Sequence, residues 1–166
     1  MGISDPALPP SFPSLAIDPF GFPQLAYPLA VEDPITDHSF GIAWVVFALA
    51  LALHVADEAR HDFLSTYNPS VRAIRAKLPF LPIPTFTFKV WLSLLTAGII
   101  LLFCLSPLAF SGNHVLRLIA RVLAIVVGIL NAAAHLISSA YLRRWMPGVY
   151  SSPVLLAAAI YLFAVS

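Results

Sequence analysis

Charged residues are scarce in this chain of 166 residues. Asp, Glu, Lys and Arg together make up 10% of it, while hydrophobic residues make up 60%. A soluble domain is usually about 25% charged and about 45–50% apolar. The chain therefore has too little polar surface to cover a globule of its size. We predict an integral membrane protein.

Lys and Arg are absent from residues 1–40, and cysteine occurs once, as Cys104. A secretory signal needs a basic start followed by an early apolar run, and the N-terminus has neither. A single cysteine excludes an internal disulfide framework. The formal net charge of +1 provides no basic surface for nucleic acid, so we predict no nucleic-acid partner.

Proline is abundant where the basic residues are missing. Eight of the 15 prolines lie in residues 1–40. Proline lacks a backbone donor and interrupts helices. We therefore predict an extended or interfacial tail over residues 1–38 and a membrane domain over residues 39–166.

Long apolar runs without alternation follow the tail, and they indicate transmembrane helices rather than a closed barrel. We predict an all-α fold with four transmembrane helices in a compact bundle, over about residues 39–63, 89–110, 113–143 and 152–166. Asn113 is expected to cap the third helix, and Ser152–Pro153 to open the fourth. Pro107 is expected to end or kink the second helix.

Basic residues collect in two connections of this predicted bundle. They are Arg60, Arg72, Arg75, Lys77, Lys89, Arg143 and Arg144. Lys and Arg gather on the cytoplasmic side of membrane proteins, and both connections fall on one side of a four-helix bundle. We predict a multi-pass protein with cytoplasmic basic loops and an outside or lumenal N-terminus. Asn68 and Pro69 predict the start of a short basic helix in the first loop.

Polar side chains interrupt two of the apolar runs, and each set falls on one helix face. At about 100° per residue, four residues of HVADEARH span an arc of about 100°: His54, Asp57, Glu58 and His61. The third helix has a similar stripe, formed by Arg117, Arg121, Gly128, Asn131, His135 and Ser138. Ionisable groups near the membrane centre cost at least about 2.5–3.5 kcal/mol each, so they should face inward and find partners. We predict a shared buried site between the first and third helices.

The segment HVADE resembles the HxxEE signature of the HXXEE-domain integral membrane proteins. The segment NAAAHLISSAYLRRWMPGVYSS resembles that family's second block, in which an Asn precedes a His by four residues and a Pro-Gly turn follows. Together the two blocks cover about residues 45–160. Asp57 stands where the family has its first Glu, and its reach is one methylene shorter, so Glu58 is the stronger candidate for contact with a ligand. The family's activity is uncharacterised, and the resemblance implies a site rather than a reaction.

The chain is also similar, in fewer residues, to the emopamil-binding and sterol-isomerase proteins. In those compact membrane bundles a His and a Glu four residues apart work with an Asn on another helix. His54, Glu58 and Asn131 fit that description.

The residues permit acid–base chemistry without a cofactor. A carboxyl in a low-dielectric pocket can hold a proton near neutral pH and donate it to an apolar substrate. We predict a membrane-embedded enzyme of the isomerase or cyclase (lyase) type, acting on a lipid-, sterol- or terpenoid-like molecule. The predicted catalytic residues are His54, Asp57, Glu58, Asn131 and His135. Residues predicted to support the site or bind substrate are His61, Arg121 and Arg144.

Two alternatives remain open from the sequence. In the first, one zinc or iron ion is bound by nitrogen and oxygen ligands from His54, Glu58, His61 and His135. In the second, the chain is a non-catalytic lipid-binding or assembly protein. Its polar stripes would then be a structural network in which Arg121 or Arg60 pairs with the carboxylates. The oligomeric state, including a homo-oligomer, is also left open.

Overall fold

The computed structural model describes residues 16–17, 23–24 and 34–166, so most of the predicted tail lies outside the described residues. Two compact units are distinguished, Met1–Val31 and Glu32–Ser166. In the first unit, β1 (Ala16–Ile17) and β2 (Pro23–Gln24) form a short antiparallel pair. The second unit carries the predicted site.

Helices account for all the regular structure described in the second unit, which confirms the predicted helical fold of this unit. They are α1 (Pro34–Arg60), α2 (Phe63–Lys77), α3 (Phe88–Cys104), α4 (Ser106–Phe110), α5 (His114–Leu123), α6 (Asn131–Leu142) and α7 (Ser152–Val165). A π-helical segment, Ala124–Leu130, joins α5 to α6. These three elements form one rod of 29 residues from His114 to Leu142.

Capping residues and prolines set several helix ends as predicted. The Asn113 side chain accepts a hydrogen bond from the Leu116 N–H at 3.0 Å and so caps α5. Pro153 lies in the first turn of α7, where its missing N–H costs nothing. Pro107 lies in the first turn of α4, just after the break at Leu105 that ends α3.

The helix in the first basic loop begins earlier than predicted. α2 starts at Phe63, directly after Asp62, whose φ of 51° ends α1. Asn68 is therefore not a cap, and Pro69 lies inside the helix. The Asn68 amide instead donates to the Phe86 carbonyl at 2.9 Å and accepts from the Phe86 N–H at 3.1 Å. This exchange holds α2 against the connection that leads into α3.

α1 is the central helix, and it packs against α3, α4 and α7. Its inward face buries Phe40, Trp44 and Phe47, and the Trp44 indole donates to the Leu102 carbonyl at 2.7 Å. Gly128 in the π-helical segment lies directly against Ala159 of α7. A Cβ at Gly128 would overlap the Ala159 side chain, so only glycine permits this spacing.

Two of the described helices are long and apolar enough to cross a membrane, judged by length and composition. They are α1 from Asp37 to Arg60 and the rod His114–Leu142. Only 28% of an apolar stretch of 18 residues in the rod is buried. Most of its Leu, Ile and Val side chains therefore face outward, where lipid is the natural partner. α3 and α7 are apolar but shorter, at 17 and 14 residues. The structure thus supports a membrane protein with two candidate spans, and the four-span bundle stays a prediction.

Candidate functional site

Three ionisable side chains from two helices meet in the interior of the second unit. His54 and Glu58 come from α1, His135 comes from α6, and all three are buried. Glu58 Oε1 lies 3.0 Å from His135 Nε2 and 3.6 Å from His54 Nε2. The two imidazole rings meet nearly edge to face, with 4.9 Å between their centroids. We call His54, Glu58 and His135 the central cluster.

The local structure explains why these residues converge. His54 and Glu58 are four residues apart on α1, which places them on the same helix face. His135 lies one turn after Asn131, and Asn131 follows the π-helical segment directly. A π turn holds more residues than an α turn, so it changes which face the following residues present; such turns are frequent at functional sites.

Asn131, predicted as catalytic, contacts the central cluster at His54. Its Nδ2 lies 3.0 Å from His54 Nε2. An amide nitrogen can only donate, so His54 Nε2 is the acceptor and the neutral ring carries its proton on Nδ1. The hydrogen bond therefore selects one tautomer of His54.

The other ring nitrogen of His54 leads to Asp57 through Ser151. His54 Nδ1 lies 2.9 Å from Ser151 Oγ, and the Ser151 hydroxyl donates to Asp57 Oδ2 at 2.8 Å. The Ser151 backbone N–H donates to the same oxygen at 3.0 Å. Asp57 thus lies one layer outside the central cluster. Its short side chain reaches Ser151, which explains how this chain accommodates Asp where the family motif has Glu.

His61 points away from the central cluster. Its Nδ1 lies 2.8 Å from Asp57 Oδ1, and its side chain is 42% exposed. Its ring packs near Tyr150, with 5.5 Å between centroids. The predicted four-ligand set is therefore not assembled, and the structure brings together three of its members, the central cluster.

Arg121, predicted to support the site, lies at the opposite end of the rod, where its guanidinium donates to the Ser166 carbonyl. Arg117 also lies there, and it pairs with Asp37 at 2.6 Å. The expectation that Arg121 belongs to the site is wrong, because the rod separates it from His135 by about four helical turns. Across residues 37–166, Glu58 has histidine partners and no Lys or Arg partner.

A groove of about 300 Å³ between α2 and α6 reaches the central cluster at His135. Aromatic rings of Phe63 and Tyr67 line one wall, and Ser138 and Arg144 line the other. Arg144 therefore lies beside the site, as its predicted substrate-binding role requires. Because Glu58 lies behind His135, a molecule in the groove would meet the imidazole first.

Two features of the site escaped the sequence analysis: the contacts of Gly148 and the role of Ser151. Gly148 has a φ of 85°, and a Cβ there would lie 2.9 Å from the His135 ring and 3.0 Å from the His54 ring. Ser151 links His54 to Asp57, as described above. Both residues lie in the GVYSS end of the block that resembles the HXXEE proteins, so that block was the available signal.

A family model described as a protein of unknown function with HXXEE motif matches residues 44–162, which include the central cluster, Asn131 and Ser151. No curated protein and no solved structure matches the chain. The similarity to emopamil-binding and sterol-isomerase proteins thus receives no support, and the family description assigns no reaction.

Proposed function

Because the chain belongs to the HXXEE family, whose function is unknown, we propose a reaction from the geometry of its site. The central cluster is the acid–base centre of a membrane-embedded isomerase or cyclase. Its substrate is a hydrophobic lipid-, sterol- or terpenoid-like molecule with a carbon–carbon double bond. The observation that carries the proposal is the buried Glu58 carboxyl, held between two imidazoles.

The partners of Glu58 favour a reactive site over a structural network. A carboxylate that joins helices is usually matched with Arg or Lys, which stay charged. Imidazole can both accept and donate a proton near neutral pH. Glu58 has two such partners within 3.6 Å, so a proton has several places to reside in the cluster.

An isomerisation at this centre moves one proton in and one proton out. A proton from Glu58, in its acid form, is passed by the His135 ring, which lines the groove, to one carbon of the double bond. The carbocation loses a proton from a neighbouring carbon to the same ring. That proton returns to Glu58 over the 3.0 Å contact, which restores the site and leaves the double bond shifted. In a cyclisation, a second double bond of the substrate attacks the carbocation before the proton is lost.

The groove at His135 is the proposed entry for the substrate. Its aromatic wall suits a hydrocarbon chain, and Arg144 suits a polar or anionic end group. A four-span arrangement with cytoplasmic basic loops would place this groove at the inner leaflet. Asn131 and the Asp57–Ser151 pair then act as positioning groups that fix the His54 ring.

Solvent exchange tests the proposal without knowledge of the substrate. The full chain in detergent is incubated in heavy water with a lipid extract of the expressing cells. Proton transfer to and from carbon must place deuterium in a lipid, which mass spectrometry detects as an added mass. We expect incorporation with the parent protein and none with Glu58→Gln, because an amide cannot deliver the proton.

A matched control uses the exposed Asp62, whose side chain makes no cap hydrogen bond. Asp62→Asn removes a carboxylate next to the site segment and retains a residue that tolerates positive φ. It should exchange deuterium like the parent. Exchange by Glu58→Gln at the parent rate, or no exchange above the protein-free sample, would overturn the proposal.

A further inference from the structure

We infer that the central cluster binds one divalent transition-metal ion of the zinc class through His54, Glu58 and His135. The inference rests on the proposed function for the role of the site in a reaction. The binding itself can be measured without turnover. It also reduces the four-ligand alternative left open by the sequence to three ligands, because the His61 side chain faces Asp57 and solvent.

Distances within the cluster fit a single small ion. Zinc binds imidazole nitrogen and carboxylate oxygen at about 2.0–2.2 Å, so two ligand atoms in tetrahedral geometry lie about 3.4 Å apart. Glu58 Oε1 is 3.0 Å and 3.6 Å from the nitrogens of the two histidines. One ligand atom from each residue lies within 4.8 Å of the other two. Shifts of well under 1.5 Å, about the length of one bond, therefore suffice to surround an ion.

The donor set is that of a catalytic rather than a structural site. Two histidines and one carboxylate leave a coordination position open on zinc, and the same set suits ferrous iron. Structural zinc sites are closed by four ligands, commonly thiolates. The only cysteine, Cys104, is exposed on α3 and belongs to no such group.

An independent observation is the orientation of His54. Histidines that bind metals almost always donate their second ring N–H to a carboxylate, a carbonyl or water, which directs the other nitrogen at the ion. His54 donates from Nδ1 to Ser151, which in turn donates to Asp57. The lone pair on Nε2 therefore faces Glu58 and Asn131. A buried histidine that only fills space has no need of this two-step link to a carboxylate.

With an ion bound, the same three residues would form the site, but a different group would carry the proton. Glu58 would become a ligand, and a water molecule on the ion would supply the acid, since zinc lowers the pKa of bound water to about 7. The lone pair on His54 Nε2, which accepts a hydrogen bond from Asn131 at 3.0 Å, would bind the ion instead. The groove at His135 remains the side from which a substrate approaches.

Metal content and cobalt spectroscopy test the inference on the full chain in detergent. After growth with zinc, elemental analysis should find about one ion per chain. After chelation, added Co²⁺ should produce the visible absorption of a tetrahedral nitrogen–oxygen site. Glu58→Gln and His135→Ala should abolish the band, and Asp57→Asn should weaken binding about 10–100-fold by disturbing the second layer.

His61→Ala is the matched control, because it removes a nearby histidine that lies outside the central cluster. It should bind Co²⁺ with the parent's spectrum. Zinc should also raise the melting temperature of the parent and of His61→Ala, but not that of Glu58→Gln, whose side chain keeps the shape of glutamate. This second measurement separates loss of the ligand from loss of the fold.

No ion and no cobalt band in the parent would overturn the inference. Equal loss of the band in His61→Ala and His135→Ala would also overturn it, since the ligand set would then be different. The deuterium exchange assay separates this failure from that of the proposed function. If the chelated protein still exchanges deuterium, the acid–base proposal stands without the ion. If an ion binds but no deuterium is exchanged, the metal site stands without the proposed reaction.

Discussion

Ser151 gives the Asp57 carboxylate two hydrogen bonds, one from its backbone N–H at 3.0 Å and one from its hydroxyl at 2.8 Å. The start of α7 is thereby joined to α1 at the layer behind the central cluster. The same hydroxyl lies 2.9 Å from His54, so a single serine connects a carboxylate to a buried imidazole. Its removal tests how much this layer contributes.

Ser151→Ala should destabilise the protein by about 1–3 kcal/mol, because it removes hydrogen bonds to a charged group and to a buried ring. The melting temperature in detergent measures the loss. Ser65→Ala, at an exposed hydroxyl that bonds only to the Asp62 carbonyl, is the control and should melt within a degree or two of the parent. Equal melting of the two variants would show that the Asp57–Ser151–His54 link is not formed.

Gly148→Ala should disturb the site through space. The new Cβ would lie 2.9 Å from the His135 ring and 3.0 Å from the His54 ring, at a φ of 85° that disfavours alanine. We expect a loss of about 1–3 kcal/mol in stability and loss of the cobalt spectrum. Gly98→Ala on α3 is the control, since its Cβ meets nothing within 4 Å and alanine favours a helix. A Gly148→Ala protein with parent stability and spectrum would contradict the packing described for this turn.

Glu58→Gln separates a reactive site from a structural network. If Glu58 serves as a proton carrier or ligand, the amide should keep the fold, with a melting temperature close to that of the metal-free parent. If Glu58 holds helices together, the loss should approach the roughly 3–5 kcal/mol expected for a broken buried ion pair. We expect near-parent melting with loss of deuterium exchange. His135→Ala, measured alongside, should also lose exchange, and collapse of both variants would favour the structural network.

Arg117→Met should produce the opposite pattern at the far end of the rod. Arg117 pairs with Asp37 at 2.6 Å, donates to the Val165 carbonyl at 2.7 Å and lies over the Phe40 ring. Loss of these charged hydrogen bonds should cost about 1.5–3 kcal/mol. Deuterium exchange and cobalt binding should persist below the melting temperature. Their loss in the folded variant would mean that the two ends are coupled.

The predicted topology rests on the basic loops, and it can be measured in cells. Single cysteines are placed at Ser70 and Ser11 in a Cys104→Ala background, because Cys104 is exposed. An impermeant thiol reagent should label the Ser11 cysteine in intact cells and the Ser70 cysteine only after lysis. The reverse pattern would place the groove at His135 on the other side of the membrane.

Helix periodicity was enough to predict which faces of the helices hold the site. His54 and Glu58 lie on one α-helical turn, and the Asn131–His135 spacing is also one turn, so the 100° arithmetic applies within each pair. That arithmetic gives an angle around the helix axis and no distance along it. Arg121 therefore shares a calculated stripe with the site residues although it lies about four turns from His135.

Contacts between segments distant in sequence could not be derived from periodicity. Ser151 and Gly148 lie in a turn before α7, and no helical pattern indicates that this turn packs against α1. The start of α2 was missed for a local reason. The pair Asn68–Pro69 is typical of a helix start. The Asn68 amide instead forms two hydrogen bonds with the Phe86 backbone, and so it does not cap a helix.

The Ser151–His54 hydrogen bond has a consequence for biosynthesis, because its two residues are 97 positions apart. At a synthesis rate of about 5–20 residues per second, His54 is synthesised roughly 5–20 s before Ser151. During most of that interval the His54 and Glu58 side chains have neither Ser151 nor His135 to bond. The polar end of the nascent α1 must therefore stay hydrated or bound to the insertion machinery. The site is completed only when the start of α7 has been synthesised and packs against α1.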